Sequence, residues 1–271
     1  MNRDAMRAII ARDLRVVGQN RGVMLPLVIV PVLLLIVLPA FAAWAPTAAV
    51  PGSPLAPVTA LRAQMPEGLK AQLSRWDETQ QAVILLTEYV MAPLYLMIPL
   101  MVASVIAADS FAGEKERKTL EMLLYTPTSD RELFLAKVLS AWIPACLVAW
   151  GGLAVYGLVA NLVAWPTMQA ALFPNRLWTL LAFWVAPAVA GMGLGAMVLV
   201  SARAEGFQDA YQMGGVVVIP LVILIVAQVS GVIYLRELLV FALGALLWLV
   251  DALILGIGAR RFHRDALAQR L

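Results

Sequence analysis

The residues best placed to do chemistry lie between 109 and 137, and the chemistry they suit is ionic docking. Glu114 and Lys118 stand four apart in the favourable order for a helical ion pair. Helical spacing puts Glu114, Arg117, Lys118 and Glu121 on one polar face, beside an apolar stripe of Leu120, Leu123 and Leu124. Pro127 stops this helix, because the residue before a proline is pushed out of the α region. Ser129-Asp130-Arg131-Glu132 reads as a capping box that starts the next one. A short helix, a turn and a restart therefore stand between two runs apolar enough to cross a bilayer. The plainer reading is an interfacial loop anchored by its leucines.

Other reactive groups are sparse. The single cysteine, Cys146, lies in an apolar run, and the single histidine, His263, lies in a basic tail. That inventory argues against a zinc site. The chain has no Gly-x-x-x-x-Gly-Lys-[Ser/Thr] loop, so it is not expected to hydrolyse ATP alone. No Gly-x-Ser-x-Gly, histidine pair or paired acids suggest an intramembrane enzyme, which leaves that reading as a weak alternative. Asp251 is the one acid deep within an apolar segment. A carboxyl there is costly and marks a polar site, unless it pairs locally with Arg260 about two turns away. Glu88, at the mouth of another segment, is a weaker case.

The elements that position these groups follow from composition. Of 271 residues, 62% are hydrophobic and 14% charged, against about 25% charged in soluble domains. The apolar runs are long and continuous rather than alternating, so an all-α integral membrane fold is expected. Six transmembrane spans fall at about 23–43, 89–108, 138–163, 177–200, 213–232 and 238–258. Residues 1–22 form an N-terminal amphipathic interfacial helix, with Met6, Ile9, Ile10, Leu14 and Val17 on its apolar face. Residues 44–88 form an external loop, in which Pro66 could open a helix faced by Leu69, Leu73, Trp76, Gln80, Val83 and Ile84. The charged insert 109–137 and a basic tail 259–271 complete the plan. Ala40-Phe41-Ala42 resembles a signal-peptidase site, but the apolar run before it is too long for a typical signal core, so the first span is expected to be retained.

Fifteen of the 20 Lys and Arg residues fall in the two ends and in the loops near 115 and 207. The positive-inside rule then puts both termini in the cytoplasm, in a cell (inner) membrane. It also makes the high isoelectric point a matter of topology rather than of nucleic-acid binding. Cysteines introduced at Lys118 and Arg264 should resist a membrane-impermeant thiol reagent in intact cells, and one at Lys70 should react. Ready external labelling at 118 would reverse the topology.

In the fourth span Ala186, Ala190, Gly191, Gly193 and Gly195 cluster, and Ala186/Ala190 and Gly191/Gly195 are small-x-x-x-small pairs that let helices approach closely. They serve helix packing within the subunit, or a dimer seam or moving gate.

Gly113-Glu114-Lys115-Glu116-Arg117-Lys118-Thr119-Leu120-Glu121-Met122-Leu123-Leu124-Tyr125-Thr126-Pro127, followed by a polar restart and Ala136-Lys137, resembles the cytoplasmic loop of ABC-2-type transporter permeases. Phe207-Gln208-Asp209-Ala210-Tyr211-Gln212 is similar to the motif before the fifth span of the same family. The resemblance implies a coupling helix in the insert and a connecting helix at the N-terminus. It implies ATPase contact through Glu114, Glu116, Arg117, Lys118, Thr119, Glu121 and Met122, with Gln208 and Asp209 as a second contact. It further implies an exporter permease that pairs with a second copy or a paralogue and recruits two ABC ATPase subunits. No cofactor is expected in this chain, since ATP and Mg would bind the partner ATPase. Membrane lipid is the remaining partner, and the different-class alternative is a non-transporting scaffold or sensor that engages an ATPase.

Overall fold

The computed structural model describes residues 3–48, 65, 67–116, 129–201, 203–204, 206–230 and 232–261. All regular structure among them is helical, and six helices are long and apolar enough to cross a membrane. The elements are α1 (Arg3–Gln19), α2 (Arg21–Ala48), α3 (Glu67–Leu73), α4 (Glu78–Gly113), α5 (Asp130–Met168), α6 (Arg176–Ser201), α7 (Phe207–Val229) and α8 (Glu237–Arg261).

Several helices run past their apolar segments, and local chemistry explains where they start. The Asp77 carboxylate accepts the Gln80 N–H at 2.7 Å, while Gln80 Oε1 accepts the Asp77 N–H at 3.1 Å. This capping box starts α4 at Glu78, about a dozen residues before the apolar run suggested, and Ala82 to Leu85 are buried there. The anticipated amphipathic helix after Pro66 is thus split. Leu69 and Leu73 lie on α3, and Val83 and Ile84 on α4. The box at Ser129 is present as well, with the Glu132 N–H donating to Ser129 Oγ at 3.3 Å. It opens α5, whose 39 residues reach about 58 Å, well beyond a hydrocarbon core of about 30 Å. The N-terminal part of α5 is therefore free to pack on something other than lipid.

The helices α4 and α6 form the centre, with 78% and 67% of their apolar windows buried, against 17% for α7 and α8. Small residues account for the position of α6. A Cβ on Gly193 would stand 2.8 Å from the Leu100 carbonyl on α4, and one on Gly195 would stand 2.8 Å from Ile254 on α8. Ala186 and Ala190 are fully buried. The helix α6, the fourth span, is thus wedged between two neighbours that a larger side chain would displace.

At one end of the bundle an aromatic box closes the core. Tyr156 stacks on Trp178 at 4.3 Å, and Phe173 and Tyr95 pack against Trp178 at 5.1 and 5.3 Å. Near this end α4 makes a wide π-helical turn over Leu85–Val90. Its carbonyls accept side-chain donors from three other helices: Thr87 from the Tyr156 hydroxyl, Glu88 from Trp178 Nε1 and Tyr89 from Gln228 Nε2. Because lipid offers no donors, such irregular backbone needs protein partners.

Candidate functional site

At the other end of the bundle, α1, the end of α4 and the start of α5 converge on a buried charge network. The helix α1 is amphipathic, as its spacing predicts, but it packs on protein. Ile9 is buried with Leu133 and Ala136 of α5, and Val17 joins the main core. Asp13 lies on that same buried face, one helical turn from Ile9 and from Val17, and is only 4% exposed. Ser110 Oγ donates to Asp13 Oδ2 at 3.0 Å, and Ser140 Oγ donates to it at 3.3 Å. Arg12 bridges from the rim, donating to Asp13 Oδ1 at 2.9 Å and to Glu114 Oε1. Asn20 Nδ2 reaches Asp109 Oδ1 at 3.4 Å.

Lys137 is the centre of this network. It is 2% exposed, and its ammonium donates to Glu114 Oε2 and to the Ser110 carbonyl at 2.5 Å, 5.4 Å from the Phe111 ring centroid. Asp13 and Glu114 thus share Arg12, and Glu114 also pairs with Lys137, while Asp109 accepts from Asn20. Buried charge is tolerable only when paired and hydrogen-bonded, and each of these groups has at least one such partner. The result is a fastening that ties the N-terminal helix to both ends of the charged insert.

This arrangement places Glu114 within the fastening. Its side chain turns inward and is 6% exposed. The reason is that α4 runs on through a second π-helical turn, Asp109–Gly113, so Glu114 still belongs to the bundle. Glu116 is exposed, and its carboxylate accepts the Phe207 N–H at 3.0 Å, capping the first turn of α7. The two loops that carry the sequence motifs are therefore in contact. Gln208 and Asp209 are exposed on that turn. Arg117, Lys118, Thr119, Glu121 and Met122 lie outside the described residues.

Sequence reasoning missed Arg12, Asp13, Asp109, Ser110 and Ser140 as a set. The signal was an acid inside an apolar stripe, and two polar pairs at the abutting ends of apolar runs.

Asp251 sits elsewhere, on α8 against α6. It is 2% exposed, packs directly on Gly191, and neither carboxyl oxygen has a hydrogen-bond partner among the described residues. Gly191 makes room for it, since a Cβ there would collide with Oδ2. The Arg260 side chain, the expected local partner, lies outside the described residues. No group of three His, Cys, Asp or Glu side chains able to hold a metal occurs among the described residues.

No curated protein and no solved structure matches the chain. A family model described as "ABC-2 family transporter protein" does match it, over residues 7–244, from α1 into α8. With that match spanning most of its length and six membrane-crossing helices, the chain belongs to the ABC-2 family of transporter proteins.

Proposed function

We propose that this membrane transport component is the permease half of an ATP-driven exporter, paired with a second permease copy or paralogue and powered by separate ATPase subunits. The observation that carries the reading is the fastening of α1, α4 and α5 around Lys137, next to the contact between Glu116 and the start of α7. A partner pushing on the insert would move these four helices together, because buried ion pairs and packed cores resist partial deformation. The docking contacts on this reading are Glu116, Arg117, Lys118, Thr119, Glu121 and Met122, with Gln208 and Asp209. Glu114 serves the fastening instead. ATP and Mg belong to the partner. Asp251 is a polar site on the α6–α8 seam, and the substrate path runs between two six-helix bundles with both termini cytoplasmic.

The chain has no phosphate-binding loop, so the purified chain should show no ATP hydrolysis above background. Reconstituted in vesicles with an ABC ATPase from its own genome, it should support ATP-dependent movement of substrate. Robust hydrolysis by the contaminant-free chain overturns the division of labour. ATPase binding without transport favours the scaffold or sensor reading.

A further inference from the structure

At the end of the bundle away from Lys137, a cavity of about 480 Å³ opens among α3, the head of α4, the start of α6 and the link between α7 and α8. This volume is within the range of about 300–1,000 Å³ usual for small-molecule sites. Its chemistry comes from Glu88, Tyr89, Arg176, Tyr234, Arg236 and Glu237. Two guanidinium groups and two carboxyl groups line one space. The Arg176 and Arg236 side chains are exposed, and neither forms an ion pair with a described residue. Asn175 lines the same space. Tyr89 and Tyr234 meet edge to face at 6.3 Å.

A second groove, of about 500 Å³, shares Asn175 and Arg176 with this cavity and continues along α6 past Thr179, Leu180, Phe183 and Trp184. This groove is apolar, and Phe183 is 57% exposed on the surface that lipid would cover. A charged chamber therefore adjoins an apolar surface groove, with Arg176 lining both.

We propose that the two together bind a zwitterionic, lipid-like amphiphile. Its phosphate meets Arg176 and Arg236, its ammonium meets Glu88, Glu237 and the tyrosine faces, and its acyl chain lies along α6. A lone anion would meet two carboxyl groups and a lone cation two guanidiniums, whereas a zwitterion complements both. Arginine suits phosphate, and aromatic faces suit ammonium. The site names a ligand class for the transport proposed above, and rests on that reading only for the ligand's being cargo.

The test is lipid binding to the purified full chain in detergent, read by native mass spectrometry without ATPase, so failure here leaves the permease reading standing. Dioleoyl phosphatidylethanolamine should bind at least tenfold more tightly than dioleoyl phosphatidylglycerol. R176Q with R236Q should weaken the ethanolamine lipid at least tenfold. E88Q with E237Q should abolish the preference, with the glycerol lipid gaining. The four side chains line a cavity rather than the core, and elution as the same species checks that each variant folds. Equal binding of both lipids to the unaltered chain overturns the proposal, as does ethanolamine-lipid binding unchanged in both double variants. Free O-phosphoethanolamine binding as tightly as the lipid also overturns it, because the groove would then contribute nothing.

Discussion

Replacing Lys137 by methionine is expected to destabilise the protein by about 3–5 kcal/mol, the usual cost of breaking a buried ion pair by removing one partner. Lys137 is 2% exposed and holds Glu114 from within the bundle. Its loss leaves Glu114 with Arg12 at the rim and takes the Lys137 donor from the buried Ser110 carbonyl. Thermal unfolding in detergent is the measurement. Arg131→Met, on the same helix but exposed, is the control and should stay within about 0.5 kcal/mol. Lys137→Met combined with Glu114→Gln should cost less than the two single changes added together, because the second change removes the charge that the first leaves stranded. Strict additivity, or a Lys137 variant as stable as the Arg131 control, would reject the fastening.

The same fastening explains which parts of the site were legible in the sequence. Hydropathy reveals helices that cross lipid, since lipid leaves the backbone no other choice. The Ser129 box was legible because its two hydrogen bonds are local, three residues apart. Glu114 was not, because helical spacing tells which residues share a face but not which way that face turns. Its partners are Lys137 and Arg12, 23 and 102 residues away. At the head of α4, spacing alone joins Val83 and Ile84 to Leu69 and Leu73 in one amphipathic helix, whereas the local Asp77–Gln80 capping box starts a new helix at Glu78. Asp251 was flagged as costly, but the space that admits it belongs to Gly191 on another helix. The glycine cluster and the lone acid, which looked like separate features, are one contact.

The burial of Glu114 bears on how the proposed docking face is tested. Reversing Glu114 would damage the fastening as well as any partner contact, so it cannot separate the two. Asp209 is exposed on the first turn of α7, so reversing it together with Arg117 and Glu121 tests the proposed docking face without altering Glu114.

The most direct test of the central claim, that separate ATPase subunits drive this permease through the insert and the start of α7, is co-purification of the ABC ATPase with the tagged chain. The unaltered chain is compared with a variant carrying Arg117→Glu, Glu121→Lys and Asp209→Lys, with expression and oligomeric state checked alongside. Like charges brought together across an interface cost several kcal/mol. The account predicts that the unaltered chain carries the ATPase in fixed stoichiometry, and that the variant inserts normally and loses it at least tenfold. Undiminished co-purification with the variant, accompanied by full ATP-dependent transport, would contradict the account.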